Sequence, residues 1–320
     1  MITRTPRRAS GDPLDGQTPA RPRSFLGERS MLTRIVAGVL GAALFIYLVF
    51  AANGLPFALA VALFSVFGTL ELYRAVKNQG GQPSEFLGVL ACVAFQLAAW
   101  THYGQRFAPY LPATLLLLVL TTLLIELGKR RPKPVITVGT TLLGAVYAGW
   151  LLSYLTLLLG MQPGMIRVSG ENVPLLVPPF PHTTPGEWLV IFVSACTWMS
   201  DTGALFVGKA LGRHKLAPSI SPGKTVEGSV GGVLTSLAVG AGLGYWLHLP
   251  TVHALVLAAA CAVFGQIGDL CESVLKRDLG IKDFGMVIPG HGGILDRIDS
   301  LLFSAPLAYY YVLFFLMRAH

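Results

Sequence analysis

Long apolar runs recur along this chain of 320 residues and limit what it can fold into. A helix needs about 20 apolar residues to cross the hydrocarbon core of a bilayer. Charged residues make up only 12% of the chain, roughly half of the fraction that is usual in a soluble domain. The apolar runs are residues 35–52, 55–73, 86–103, 107–125, 135–161, 188–208, 230–247, 252–268 and 301–317. We therefore predict an all-α, polytopic integral membrane protein with about nine transmembrane helices.

Lysine and arginine are distributed unevenly among the segments that connect these runs. If the N-terminus is cytoplasmic, 21 of the 24 cations lie on the inside, and only Arg106, Arg167 and Arg318 lie outside. This asymmetry follows the positive-inside rule and predicts a cytoplasmic N-terminus in the cell (inner) membrane. We therefore attribute the net charge of +8 to membrane topology and to contact of the basic segments with anionic lipid headgroups. Because the sequence shows no basic groove or aromatic platform, we do not expect a nucleic-acid partner.

Composition divides the chain into three regions. Residues 1–30 are rich in Arg, Pro, Ser and Gly and are predicted to form a disordered basic cytoplasmic tail. Residues 31–185 are expected to hold the N-terminal transmembrane helices and an outside loop, and residues 186–320 the catalytic transmembrane region. Eight of the sixteen carboxylates lie from Asp201 onward, on the predicted cytoplasmic side. Glu71 and Glu126, in the N-terminal region, are interpreted as charges at helix ends.

The first polar stretch, residues 200–229, begins with a carboxylate at membrane depth. Asp201 follows a long apolar run, and an aspartate within the membrane indicates a functional site, whereas the alternative is that the span simply ends at Ser200. The later segment SISPGKTVEGS is not a Walker A loop, because Pro218 occupies the place of its first glycine. Pro222 and Gly223 predict a turn, which presents the cation of Lys224. Hydroxyls come from Ser221 and Thr225, and Glu227 shares a face with Lys224 if a helix begins there. A solvated loop explains the same residues equally well.

Two further stretches place carboxylates and cations on single helix faces. Asp269, Glu272 and Lys276 have i, i+3, i+7 spacing, which puts them on one face of a continuing helix. Asp296 and Asp299 are also three residues apart. Two carboxylates one turn apart suit a hard cation such as Mg²⁺, which recruits substrate phosphates to complete its shell.

A glycine-rich segment precedes this pair of aspartates. Gly292 and Gly293 let backbone amides approach a phosphate closely. His291 is either a structural residue or a proton donor to phosphate. Together with the lysines, the arginines and the carboxylates, this segment predicts metal-assisted phosphate chemistry at the cytoplasmic membrane surface.

The segment SVLKRDLGIKDFGMVIPGHGGILDRID, residues 273–299, resembles the signature of phosphatidate cytidylyltransferases, also called CDP-diacylglycerol synthases. The upstream stretches SDTGA, SPGKTVEG and GDL are similar to that family as well. The chain departs from the family pattern at Leu205, where an aromatic residue is common, and at Val226, where tryptophan is common. Both exchanges are apolar and affect the shape of a pocket rather than its chemistry.

The resemblance implies a Mg²⁺-dependent reaction between CTP and phosphatidate that gives CDP-diacylglycerol and pyrophosphate. Whether a second cation takes part is left open. It implies Asp269 and Asp296 as metal ligands, and Asp201, Asp283 and Asp299 as further ligands or their neighbours. The implied catalytic residues are Asp269, Asp296, Lys224, Lys276, Arg297 and His291. The implied substrate-binding residues are Ser221, Lys224, Thr225, Ser273, Lys276, Arg277, Lys282, Gly292, Gly293 and Arg297.

Two other functions fit parts of the pattern. A CTP-dependent kinase of a lipid alcohol, such as a polyprenol, would use a similar site and transfer the γ-phosphoryl group instead. An ion-coupled transporter would explain Asp201, but transporters usually have paired halves, whereas here the charges collect in one half of the chain. The sequence leaves the oligomeric state open, a homodimer included.

Overall fold

The computed structural model describes residues 25–101, 110–129, 132–162, 165–168, 171–174, 176–285 and 292–317. The chain divides into two compact units, Met1–Leu44 and Phe45–His320. The first unit holds the start of the first helix, and every contact described below lies within the second. Most of the predicted tail, residues 1–24, lies outside the described residues, while the first helix already begins at Phe25.

Helices dominate the described residues. They are α1 (Phe25–Phe50), α2 (Leu55–Asn78), α3 (Glu85–Trp100), α4 (Tyr110–Lys129), α5 (Pro134–Gly144), α6 (Leu151–Leu159), α7 (Pro185–Leu211), α8 (Val226–Trp246), α9 (Thr251–Asp278) and α10 (Leu295–Tyr311). A π-helical turn, Ala145–Trp150, joins α5 to α6, and another, Val312–Leu316, follows α10. Two short antiparallel hairpins pair β1 (Met165–Val168) with β2 (Glu171–Pro174) and β3 (Lys215–Ala217) with β4 (Ser221–Thr225).

Seven helical stretches among the described residues are long and apolar enough to cross a membrane. The polytopic all-α prediction is therefore confirmed, while the count of nine and the orientation of the N-terminus stay predictions. The first stretch, Gly38–Asn78, covers most of the first predicted run and all of the second. It bends between them because Ala52, Asn53 and Gly54 all have positive φ angles, of 45°, 55° and 76°. The third predicted run corresponds to α3, a helix of 16 residues.

Small residues allow the C-terminal helices to pack closely. One face of α8 carries a small residue at every fourth position: Gly228, Gly232, Ser236, Gly240 and Gly244. A Cβ atom on Gly232 would lie 2.7 Å from the carbonyl oxygen of Ser200 on α7, and one on Gly240 would collide with Ala258 on α9. Helices in membranes use such spacing to bring their backbones together. Here it places α8 tightly between α7 and α9.

The hairpin that joins α7 to α8 corrects one prediction. The turn lies at Pro218–Ile220 rather than at Pro222 and Gly223, and those two residues belong to β4. Proline suits the second position of a turn, and the amide of Ile220 donates to the carbonyl oxygen of Ala217 at 3.2 Å to close it. The helix that follows begins at Val226, so Lys224 lies on the strand.

Candidate active site

Three carboxylates from two helices form an acidic cluster. Asp269 and Glu272 lie on one face of α9, as their spacing predicted, because the helix continues to Asp278. Asp299 lies on the second turn of α10. One oxygen from each of Asp269, Glu272 and Asp299 lies within 4.8 Å of the other two. We refer to these three residues as the acidic cluster.

Lys276 connects the acidic cluster to Asp296. Its Nζ lies 2.5 Å from Oε2 of Glu272 and 2.9 Å from Oδ1 of Asp296. The other oxygen of Asp296 accepts hydrogen bonds from the amides of Gly293, at 2.8 Å, and Phe284, at 3.2 Å. Asp296 therefore lies beside the cluster with both of its oxygens engaged, and its predicted role as a metal ligand stays a prediction.

Asp201 reaches the same region from α7. Its Oδ2 accepts a hydrogen bond of 3.0 Å from the hydroxyl of Ser300, which follows Asp299 on α10. The amide of Ser300 also donates to Oδ1 of Asp299 at 2.8 Å. The side chain predicted as an intramembrane carboxylate thus has a polar partner at the edge of the acidic cluster.

A cavity of about 400 Å³ opens beside the cluster, between α7, β4, α8 and α9. Its polar lining includes Asp201, Lys209, Ser221, Lys224, Ser229 and Asp269. The ammonium of Lys224 lies 2.7 Å from Oδ2 of Asp269. Asp269 therefore belongs to the acidic cluster and also lines the cavity. Ligand pockets commonly have volumes of about 300–1,000 Å³, so the cavity is large enough for a small polar ligand.

Some predicted residues serve the framework of the site. The hydroxyl of Thr225 caps α8 by accepting from the amide of Gly228 at 3.1 Å. Arg277 is exposed, and its Nε donates to the carbonyl oxygen of Ile220 at 3.0 Å, which ties α9 to the hairpin turn. Glu227 accepts a hydrogen bond of 3.0 Å from the amide of Arg213 and contacts His214 at 2.5 Å. The predicted shared face of Glu227 and Lys224 is therefore wrong, because the helix begins after the lysine.

The remaining predicted residues lie in α9, in α10 or in the segment between these two helices. Ser273 is buried in α9 beside Glu272, whereas Lys282 and Asp283 are exposed. Arg297 is exposed on the first turn of α10. Gly292 adopts a left-handed φ of 81°, which favours glycine. His291 lies outside the described residues, so its predicted role stays a prediction.

Glu71, interpreted from the sequence as a charge at a helix end, is a central residue of the site. It lies within α2 with 2% of its surface exposed. Its carboxylate accepts hydrogen bonds from the amides of Ile294, at 3.1 Å, and Leu295, at 3.0 Å, at the start of α10. The interpretation was wrong, because Glu71 is buried within α2 and caps a different helix. That helix is α10, which carries Asp296 and Asp299. A carboxylate surrounded by apolar sequence was the signal that pointed to such a role.

The acidic cluster suits a hard divalent cation. Oε1 of Glu272 is buried and has no hydrogen-bond partner among the described residues, which is costly for a charged group. Carboxylate oxygens are the ligands that Mg²⁺ prefers. Five carboxylates lie in this region, namely the three of the acidic cluster and those of Asp201 and Asp296. Two ammonium groups, of Lys224 and Lys276, contact members of this set, so negative groups outnumber positive ones among these residues. A cation between Asp269, Glu272 and Asp299 would offset this negative surplus and give Glu272 its missing partner.

Comparison with known proteins identifies the family. Residues 32–315 match the cytidylyltransferase family. A phosphatidate cytidylyltransferase of a Synechocystis species is 38% identical over 296 residues, which cover 88% of this chain and 97% of that protein. A phosphatidate cytidylyltransferase of Bacillus subtilis is 33% identical over 292 residues, which cover 89% and 98%. One from Staphylococcus epidermidis is 46% identical over 120 residues, which cover 37% and 46%. The chain therefore belongs to the cytidylyltransferase family of nucleotidyl-transferring enzymes.

Proposed function

We propose that the enzyme transfers the cytidylyl group of CTP to phosphatidate, forming CDP-diacylglycerol and pyrophosphate, with Mg²⁺ bound at the acidic cluster. One observation carries the proposal. Asp269 belongs to the acidic cluster and also contacts Lys224 in the adjoining cavity. A nucleotide triphosphate in the cavity would thus meet a cation and an ammonium group together. The Synechocystis and Bacillus subtilis relatives, which match nearly nine tenths of the chain and are named phosphatidate cytidylyltransferases, support phosphatidate as the second substrate.

The chemistry requires charge neutralisation more than proton transfer. A phosphate monoester has a second pKa near 6, so the phosphate of phosphatidate is already largely a dianion at neutral pH. One of its oxygens attacks the α-phosphorus of CTP, and the bond to the β,γ-pyrophosphate breaks. A bound Mg²⁺ would supply positive charge to the departing pyrophosphate.

The side chains of the site would perform the remaining steps. Lys224 is held by Asp269 at the wall of the cavity, where its ammonium would bind and orient the triphosphate. Lys276 is held between Glu272 and Asp296, where it would keep these carboxylates in place and offset part of their repulsion of both polyanions. Charged donors fixed in advance stabilise the developing charge without reorganisation during the reaction.

The surroundings of the cavity suit a lipid substrate. Leu205 and Val226, the two positions that depart from the family pattern, are both exposed. Leu205 lines the cavity, and Phe206, next to it, is exposed as well. Phosphatidate would keep its acyl chains in the bilayer beside this apolar surface while its headgroup enters the cavity. We place the site at the cytoplasmic face of the inner membrane, because its polar segments belong to the side that holds 21 of the 24 cations in the predicted topology.

The test uses purified protein in detergent, phosphatidate, and CTP labelled separately at the α and γ phosphates. We expect the α label in the lipid and the γ label in pyrophosphate, and we expect both to vanish when Mg²⁺ is withheld. Label from the γ position in the lipid, with release of CDP, would contradict the proposal and identify a lipid kinase instead. Activity that persists without any divalent cation would contradict the role of Mg²⁺. Sizing of the same preparation would show whether the protein is a homodimer, which the sequence leaves open.

A further inference from the structure

Gln266 is a buried amide at the wall of the cavity. It lies on α9, within a stretch that is long and apolar enough to cross a membrane, and 9% of its surface is exposed. It lines the cavity together with Ser229 of α8. The chemistry proposed above assigns no role to either residue. A buried amide is costly unless it is hydrogen-bonded, so its partners show which bonds remain available for a ligand.

Three hydrogen bonds fix the orientation of this amide. Nε2 of Gln266 donates to the backbone carbonyl oxygen of Ser229 at 3.1 Å and to Oγ of Ser200 at 3.2 Å. The hydroxyl of Ser229 donates to Oε1 of Gln266. Because a backbone carbonyl can only accept, the nitrogen of the amide, rather than its oxygen, must face it. A Cβ on Gly232 would lie 2.9 Å from Nε2, so close packing also holds the amide in place.

These bonds use the donors of Gln266 and Ser229 and leave acceptors. A glutamine amide has two N–H donors, and a serine hydroxyl has one proton. Both N–H groups of Gln266 and the hydroxyl proton of Ser229 are engaged, whereas lone pairs remain on Oε1 of Gln266 and on Oγ of Ser229. We refer to these two oxygens as the acceptor pair. The acceptor pair therefore suits a ligand group that donates a hydrogen bond.

The chemistry of the two proposed substrates identifies that group. Phosphate oxygens accept hydrogen bonds, and phosphates are largely unprotonated at neutral pH. The triphosphate of CTP and the headgroup of phosphatidate are therefore poor partners for the acceptor pair. The remaining donors of CTP are the 4-amino group of cytosine and the two hydroxyls of the ribose, and the diacylglycerol part of the lipid has none. The nucleoside of CTP is thus the part of the two substrates that matches the acceptor pair.

The position of the acceptor pair agrees with a nucleoside. Gln266 lies three residues before Asp269 on α9, which corresponds to about 4.5 Å along the helix axis. The charged contact between Asp269 and Lys224, which would meet the triphosphate, thus lies one helical turn from the neutral acceptors. A nucleoside is joined covalently to its phosphates and extends over such a distance while the phosphates stay at Lys224.

We infer that Gln266 and Ser229 are specificity-determining residues, whose side-chain oxygens accept a hydrogen bond from the nucleoside of CTP. The inference rests on the proposed function and adds which part of the nucleotide lies against α8 and α9. If the donor is the 4-amino group, the acceptor pair selects cytosine over uracil, because the 4-oxo group of uracil can only accept. If the donor is a ribose hydroxyl, it selects CTP over the corresponding deoxynucleotide. A site built to hydrogen-bond one group of a substrate rejects analogues that lack the group.

The test measures kcat/KM for CTP, UTP and the 2′- and 3′-deoxy analogues of CTP, each labelled at the α phosphate, with phosphatidate as the second substrate. Gln266→Met keeps the length of the side chain and removes the amide, and Ser229→Ala removes the hydroxyl. We expect wild type to prefer CTP over UTP or over one deoxy analogue, and each variant to reduce that preference about 10–100-fold. The ratio of two kcat/KM values from one preparation does not depend on how much of the protein is folded. A purely structural role would therefore leave the ratios unchanged.

Two further variants serve as matched controls. Gln96, in α3, is a buried glutamine whose amide donates to the hydroxyl of Ser65 at 2.9 Å and accepts from that of Thr156 at 2.9 Å. Ser236, in α8, is a buried serine that donates to the carbonyl oxygen of Ala258 at 2.9 Å. Neither is among the described residues that line the cavity. Gln96→Met and Ser236→Ala should therefore leave every ratio of kcat/KM at its wild-type value.

The outcomes separate the inference from the proposed function. A reduced preference for CTP over UTP assigns the bond to the cytosine amino group, and a reduced preference over a deoxy analogue assigns it to that ribose hydroxyl. Unchanged ratios in Gln266→Met and Ser229→Ala, equal changes in the control variants, or a wild type that uses all four nucleotides equally would overturn the inference. In each of these cases, transfer of the α label would still support the proposed function. A wild type that transfers the α label from none of the four nucleotides would overturn the proposed function and the inference with it.

Discussion

Replacing Glu71 by glutamine tests whether the N-terminal half positions the catalytic residues. Glu71 accepts from two amides at the start of α10, the helix that carries Asp296 and Asp299. Glutamine keeps one acceptor oxygen but turns an NH₂ group toward the second amide, which leaves a buried donor unsatisfied. Hydrogen bonds to charged groups contribute about 1.5–3 kcal/mol each. We therefore expect a loss of about 1.5–3 kcal/mol in stability, and a fall in turnover of at least about tenfold as the first turn of α10 loosens.

The matched control is Glu187→Gln. Glu187 is equally buried, at 2% exposure, and caps the start of α7 by accepting from the amide of Thr184 at 2.6 Å. It makes the same type of interaction on a helix end without a catalytic side chain. We expect a smaller loss of stability, because glutamine can still accept from the single amide of Thr184, and we expect turnover per folded molecule to stay unchanged. Thermal unfolding in detergent and transfer of the α label of CTP measure the two quantities. Equal losses of turnover in both variants, or full turnover in Glu71→Gln, would refute the positioning role of Glu71.

Three further substitutions test the remaining contacts. Asp296→Asn should abolish turnover while the protein still inserts into membranes, because Lys276 loses a charged partner at 2.9 Å; normal incorporation of CTP would remove Asp296 from the site. Lys224→Ala should raise the KM for CTP about 10–100-fold, as expected for the loss of one charged contact, and an unchanged KM would contradict its role at the cavity. Gly293→Ala should lower turnover and stability, since a Cβ there would lie 2.8 Å from Oε2 of Glu71 and 2.9 Å from Oδ2 of Asp296. Wild-type activity in Gly293→Ala would show that this close packing is dispensable.

The parts of the fold that follow from local patterns could be predicted from the sequence. Apolar runs long enough to span a bilayer identified a polytopic helical protein. The spacing of Asp269, Glu272 and Lys276 placed them on one face of α9, because helical periodicity fixes which side chains are neighbours. The small residues at every fourth position of α8 are also visible in the sequence, but the apolar pattern alone did not predict the close packing of this helix.

The parts that depend on contacts between distant segments could not be predicted in the same way. Glu71 contacts residues more than 220 positions away, and no periodicity in α2 reports such a partner. The turn of the hairpin was misplaced because Pro218 and Pro222 both suit a turn, and the strand pairing decides between them.

The central claim is that Asp269, Glu272 and Asp299 share one cation beside a cavity that holds the phosphates of CTP. The most direct measurement is anomalous X-ray scattering from crystals of the protein grown with Mn²⁺ and CTP. We predict a Mn²⁺ peak within ligand distance of oxygens from all three side chains, with the triphosphate beside Lys224. A Mn²⁺ peak that none of the three carboxylates contacts, with CTP bound elsewhere, would contradict the claim.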